Sequence, residues 1–263
     1  MGSKRLATGT VIGLTALFAL MQGGIWLALL VSIVVFYASK EYTTILRHKG
    51  FFPSLKIILA SSLIFAVLAF FNKFEWLPLA FTLSAMMALM WVLFRGRQPY
   101  IANVATTVFG FLYCGWFPLH LLFLRNFEGG MGYTVLLFFA VLVTDTFCYI
   151  FGSRFGKHKL AAVISPNKTI EGSIGGSVMC MIFSLAIGIP IGLPWYHAVI
   201  LGVLIAAFAQ IGDLCESMIK RDAGVKDSSN VLPGHGGFLD RTDSYILTIP
   251  VVYYYLEFFR GLF

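Results

Sequence analysis

Apolar residues run in long blocks along this chain, and charge, Gly or Pro marks their edges. The blocks fall near 9–22, 25–39, 57–72, 76–94, 101–124, 132–152, 173–192, 196–214 and 244–259. Gly23-Gly24 and Lys40-Glu41 bound the second, Arg95-Gly96-Arg97 ends the fourth, and Pro194 separates the seventh from the eighth. The blocks show no useful period, because they are apolar all round. Helices that face lipid or other helices have that character, whereas strands of a membrane barrel would alternate. The pattern therefore predicts an all-α, polytopic integral membrane protein with about nine transmembrane helices.

The first two blocks are short. They suit two thin spans, a re-entrant hairpin or one broken helix. Lys4-Arg5 ahead of an apolar core also has the look of a secretory signal. No small-x-small cleavage site follows cleanly and the next block starts almost at once, so the segment is expected to stay. Residue 6 is Leu, which does not meet the Ser/Thr requirement for myristoylation.

Composition supports the membrane assignment. Of 263 residues, 59% are hydrophobic and 12% charged, against about 45–50% and about 25% in soluble domains. Mean hydropathy is +0.85. Too little polar surface remains to cover a water-soluble fold of this size, and disorder is excluded for the same reason. Cys114, Cys148, Cys180 and Cys215 are scattered without a CxxC pair, which argues against a disulfide framework or a structural zinc site. No internal repeat is visible. The chain reads as one transmembrane domain, 1–263, with N-terminal spans over 1–131 and the chemistry-bearing spans and loops over 132–263.

Charge orients it. With nine crossings, sixteen of the nineteen Lys and Arg residues fall on the side of the N-terminus, and Lys73, Arg125 and Arg260 fall on the other. By the positive-inside rule the first side is cytoplasmic. The net charge of +7 sits in loops at one membrane surface, where it attracts anionic headgroups or substrates. There is no soluble module to present a basic face to nucleic acid.

Seven of the twelve acidic residues lie between Glu171 and Asp243, mixed with basic ones on that same side. An ionisable group near the bilayer centre costs about 2.5–3.5 kcal/mol, so acids at the ends of apolar runs call for a partner or a job. Asp213, Glu216, Ser217 and Lys220 fall at i, i+3, i+4 and i+7, one face of a helix leaving the membrane. The alternative is a set of salt bridges at a helix end. Next come Lys226-Asp227 and the stretch from Leu232-Pro233-Gly234-His235-Gly236-Gly237 to Asp240-Arg241-Thr242-Asp243. Its glycines allow close backbone approach to a ligand, and Asp240 and Asp243 open the last helix. Simple helix capping is the plainer alternative. Asp213, Asp240 and Asp243 make an all-oxygen donor set, which favours a hard ion such as Mg²⁺. His235 stands alone, so zinc lacks ligands. Mg²⁺ beside Lys220, Arg221, Lys226 and Arg241 is equipment for phosphoryl or nucleotidyl transfer.

A third stretch runs from Asp145 through Arg154, Lys157 and Lys159 to Ser165-Pro166-Asn167-Lys168-Thr169-Ile170-Glu171-Gly172 and Gly175-Gly176. Its lysines can hold phosphates, and the glycines open a helix whose free N–H groups suit an anion. No Walker A pattern is present. Asp145, inside an apolar block, is alternatively a buried acid bonded to hydroxyls.

The stretch from Ser217 through Lys220-Arg221, Lys226-Asp227 and Leu232–Asp243 resembles the signature of phosphatidate cytidylyltransferases (CDP-diacylglycerol synthases) over its full length. Ser165–Gly172 is similar to a second motif of that family, which more often has Lys where Asn167 stands. The resemblance is strong over about 145–245 and weak in the first hundred residues. It implies CTP + phosphatidate → CDP-diacylglycerol + pyrophosphate, with Mg²⁺ and secondarily a monovalent cation. It also implies a cytoplasmic-facing site in the inner (plasma) membrane, open to the inner leaflet, and a homodimer. On that basis Asp213 and Asp240 are expected to hold metal with Asp243 and Ser217 nearby. Lys220, Arg221 and Lys226 are expected on the CTP phosphates, and Lys168 and Arg241 on one of the phosphate groups. Asp145, Asp227 and His235 complete the expected substrate-binding set. The rival activities are a polyprenol- or phytol-type lipid kinase, and a cation transporter using Asp145 and Asp213. Transport would need polar groups at mid-depth on several spans, and here they cluster at one end.

Overall fold

A computed structural model describes residues 2–95, 97–229, 231, 236–259 and 261. Each apolar block falls on helix. The helices are α1 (Gly2–Gln22), α2 (Gly24–His48), α3 (Leu55–Phe70), α4 (Leu77–Arg95), α5 (Tyr100–Gly110), α6 (Phe117–Arg125), α7 (Gly130–Phe155), α8 (Ile170–Gly188), α9 (Trp195–Asp222) and α10 (Leu239–Phe259). A π-helical segment, Phe111–Trp116, joins α5 to α6 so that the fifth block is one continuous rod. Among the described residues, six helical stretches are long and apolar enough to cross a membrane, and α3 is a shorter apolar helix. The protein is therefore an all-α polytopic membrane protein. The first two blocks are two separate helices, broken where Gly23 and Gly24 both take positive φ.

The helices carry many large apolar side chains outward, including Leu83, Leu93, Phe94 and Ile101. In a bilayer that costs nothing, and it explains why the blocks show no polar face. One departure from pure helix is a short antiparallel hairpin, β1 (Lys159–Ala161) with β2 (Ser165–Thr169), pairing Lys159 with Thr169 and Ala161 with Ser165. Eight residues between α7 and α8 thereby enter strands that the block pattern could not signal.

The chain divides into two compact units. The first unit comprises 1–123 and 219–242; the second comprises 124–218 and 243–263. The stretch 219–242 belongs with the N-terminal helices because its loop is bonded to α2, as shown below.

In the first unit, α2, α3, α5 and the π segment enclose Leu27, Ile58, Phe65, Phe111 and Tyr113, all buried. The link before α3 is held from α5, where Asn103 Oδ1 accepts from Phe52 N (2.7 Å) and Thr107 Oγ1 from Ser54 N (3.0 Å). Ser54 in turn caps α3.

In the second unit, α7 and α8 pack through a seam of small residues. A Cβ on Gly172 would sit 2.6 Å from the Cys148 carbonyl oxygen, and one on Gly176 would sit 2.9 Å from that of Thr144. Gly202 of α9 lies equally close to Met181 of α8. Small residues let helix backbones approach where no hydrophobic force drives them together. The Gly172 amide is already taken by the hydroxyl of Thr169, which caps α8 (3.2 Å). These glycines thus serve packing, rather than leaving an open cradle of N–H groups for an anion.

Candidate active site

In the second unit, α9 carries Asp213 and Ser217 one turn apart, and Ser217 Oγ donates to Asp213 Oδ1 (3.3 Å). The other Asp213 oxygen meets Lys168 Nζ at 2.8 Å. Lys168 reaches it from β2, one residue before the α8 cap, and also lies 3.4 Å from the Gln210 carbonyl oxygen. The hairpin explains this reach. Glu171 accepts from the backbone N–H groups of Lys157 and His158 and from the His158 ring (2.7 Å), which ties the incoming loop to the start of α8. Asn167, the neighbour on β2, is exposed.

Asp145 on α7 lies close enough to Asp213 for the two carboxylates to repel. It accepts from Ser244 Oγ at 3.4 Å. Gly212 brings α9 against the backbone of Asp243, with no room for a Cβ there. The Asp243 carboxylate accepts from Ser244 N (2.8 Å). Lys168, Asp213, Ser217, Asp145 and Asp243 are therefore gathered as five predicted residues from four elements.

In the first unit, the last turns of α9 and the start of α10 carry the second cluster. Lys220 Nζ meets Asp240 Oδ1 at 2.7 Å, and both side chains are nearly buried, at 12% and 11% exposure. Asp240 also accepts from Ser228 Oγ (2.8 Å), Ser228 N (3.1 Å) and Gly237 N (2.8 Å). Burial alone would raise this carboxyl. The Lys220 bond, with those from Gly237 and Ser228, outweighs burial and holds it down at about 2. Asp240 lies in the first turn of α10, ahead of that helix's apolar run. Arg221, Lys226, Asp227 and Arg241 are exposed around this cluster. The predicted His235 lies outside the described residues.

The sequence reading missed Glu41. Lys40-Glu41 looked like the polar end of a span, yet α2 continues to His48 and buries Glu41 at 3% exposure. It accepts from Ser228 Oγ (3.1 Å), Ser229 Oγ (2.5 Å), Phe238 N (3.0 Å) and Leu239 N (2.8 Å). The only sequence signal was a carboxylate beyond the apolar block on a helix that does not stop there.

Among the described residues no three His, Cys, Asp or Glu side chains form a ready-made ion cage. Asp213 and Asp240 each face a lysine ammonium. The donors around them are carboxylate and hydroxyl oxygens, a set that suits a hard divalent ion and not zinc. The four cysteines are free thiols and stand in no disulfide. Lysine ammonium groups beside oxygen donors are the chemistry that a phosphate-bearing ligand would need.

Comparison with known proteins bears on what that ligand is. The profile of the family described as "Cytidylyltransferase family" matches residues 3–259. A phosphatidate cytidylyltransferase of Synechocystis sp. is 32% identical, over 97% of both chains. One from Staphylococcus saprophyticus is 33% identical, over 94% of this chain and 96% of its own. A chloroplastic relative of Arabidopsis thaliana, phosphatidate cytidylyltransferase 4, is 32% identical over 97% of this chain. The match runs through the N-terminal helices as well as the two clusters, so the chain belongs to the cytidylyltransferase family.

Proposed function

We propose that this protein joins CTP to phosphatidate, giving CDP-diacylglycerol and pyrophosphate. The supporting observation is that the stretches bearing the signature deliver two lysine–carboxylate pairs, Lys168–Asp213 and Lys220–Asp240, at the ends of apolar helices. The relatives bear the same activity in their names.

In the reaction, a phosphate oxygen of phosphatidate attacks the α-phosphorus of CTP. The bond from that phosphorus to the bridging oxygen breaks, and its electron pair leaves with pyrophosphate. The nucleophile is already an anion near neutral pH, so no strong general base is needed. The barrier is largely repulsion between two polyanions. At 4 Å, two unit charges interact by about 4 kcal/mol at an effective dielectric near 20, and several repel at once. Lysine ammonium groups must cancel that repulsion. Lys220, Arg221 and Lys226 are assigned to the CTP phosphates, and Lys168 and Arg241 to one of the phosphate groups.

In the second unit Asp213 with Asp243, and in the first unit Asp240, each offer oxygen donors that would suit Mg²⁺. When bound, Mg²⁺ would supply Lewis-acid neutralisation of phosphate oxygens. The excess of positive charge on one side supports a cytoplasmic placement of that face in the inner membrane of the cell, with the diacyl tails left in lipid. A homodimer is part of the same reading. Nothing in the clusters favours a lipid kinase or a transporter.

The test is purified protein given Mg²⁺, phosphatidate and α-labelled CTP. Label on lipid with release of pyrophosphate is the expected result. Phosphoryl transfer to a lipid alcohol, with CDP released, would replace this reading with a kinase.

A further inference from the structure

Glu41 lies far in sequence from both signature stretches, on α2. Yet its carboxylate receives two hydroxyls and two backbone N–H groups from the stretch that ends at Asp240. The four donors come from the two ends of one loop. Ser228 and Ser229 lie at its start, and Phe238 and Leu239 at its finish, where α10 begins. The last two are amides that helix geometry leaves without an intrahelical acceptor, at the positive end of the helix.

A second contact repeats the arrangement. Tyr37, one turn before Glu41 on the same face of α2, stacks on Phe238 with centroids 4.6 Å apart and planes 10° from parallel. Gly237 lies between these holds. A Cβ there would meet Ser228 Oγ and come within 2.6 Å of both Glu41 oxygens. No larger residue fits while the clamp is closed.

Ser228 then relays the hold to the site. Its hydroxyl lies 2.8 Å from Asp240 Oδ2 and 3.1 Å from Glu41 Oε2. With one proton it donates to one carboxylate at a time, and its N–H donates to Asp240 throughout.

We infer that Glu41 is a positioning residue, which clamps both ends of the 228–239 loop on α2 and so fixes the Asp240 carboxylate against Lys220. This rests on the reading of Asp240 as a site carboxylate. Glu41 acts through Ser228 and the first amides of α10.

The experiment uses full-length protein in detergent and compares wild type with Glu41→Gln and Ser229→Ala. Glu41→Gln swaps one acceptor oxygen for an NH₂ that faces donors. Ser229→Ala removes one of the four bonds to Glu41, together with the Val231 N–H bond to the same hydroxyl, and is the milder variant should Glu41→Gln unfold. Hydrogen exchange of the peptide spanning 236–241 is one readout and needs no activity. It should speed up about tenfold or more in Glu41→Gln, as expected when bonds to a charged acceptor are lost, and less in Ser229→Ala. Exchange in α3 and α4 should not change. The kinetic readout is a fall in kcat per folded molecule with KM for phosphatidate unchanged, and a higher Mg²⁺ concentration for half-maximal rate. Unchanged exchange over 236–241 overturns the clamp. Faster exchange with wild-type kcat overturns its role in turnover. A wild-type protein that makes no CDP-diacylglycerol would sink the proposed function, while the exchange arm would still judge the clamp.

Discussion

Lys220→Met should upset the charge balance of the Lys220–Asp240 cluster while nearly preserving side-chain volume. Lys220 and Asp240 are 2.7 Å apart and almost out of solvent. At an effective dielectric near 20, their attraction is about 6 kcal/mol before the cost of desolvating both. The net worth of the intact pair is far smaller, because burying two charges consumes most of that gain. Removing one partner is different. Asp240 would keep the Ser228 and Gly237 donors but no cation, and stranding a buried charge costs about 3–5 kcal/mol. For a chain of this size that corresponds to a fall in Tm of roughly 6–20 °C. Tryptophan fluorescence or retention of the monodisperse peak after heating in detergent would measure it. The double variant Lys220→Met/Asp240→Asn removes both charges, and it should recover most of the lost stability while remaining inactive. Two results would refute the reasoning: a single variant within about 1 kcal/mol of wild type, or a double variant no more stable than the single one.

The same pair sets a pH dependence. Asp240 is held at about 2, below the ordinary carboxylate range. Its contribution to stability is therefore complete above about pH 4 and is lost as pH falls toward 2. Without Lys220 the carboxyl rises, so the deficit of Lys220→Met should shrink between pH 7 and pH 4 as Asp240 takes a proton; melting curves across that range check it. Asp213→Asn should cut turnover at least about 100-fold and cost only about 1 kcal/mol, because its Lys168 pair is partly exposed; activity per folded molecule against Tm separates the two. Gly237→Ala should destabilise by about 1–3 kcal/mol through overpacking against Ser228 and Glu41, with a matching loss of kcat, whereas Gly224→Ala at an open turn position should lose only the local backbone preference.

What the sequence made legible is what lipid and charge dictate directly. Blocks of apolar residues must be helices in a bilayer, because every backbone group has to be satisfied internally, and all nine blocks fall on helix. The stripe Asp213, Glu216, Ser217 and Lys220 on α9 was readable because the helix period fixes which residues share a face, though not that Glu216 would be fully buried. The partners across elements were not. Lys168 reaches Asp213 only because a hairpin that no block pattern marks aims it there. Gly172 and Gly176 look alike as an anion cradle and as a packing seam; only the distance to the α7 backbone decides. Glu41 was hidden because a carboxylate at the end of an apolar block is ordinary, and its donors lie nearly two hundred residues away. The bonds of Glu41, the Tyr37–Phe238 stack and the Lys49–Asp222 pair tie 219–242 to the N-terminal unit.

Removal of divalent ions tests the account most directly. Protein stripped with a chelator, then supplied with CTP and phosphatidate, should transfer no cytidylyl group, and added Mg²⁺ should restore the rate in wild type but not in Asp213→Asn. Transfer at the undiminished rate in the stripped protein would contradict the claim that carboxylate-held divalent charge lets the two anions react.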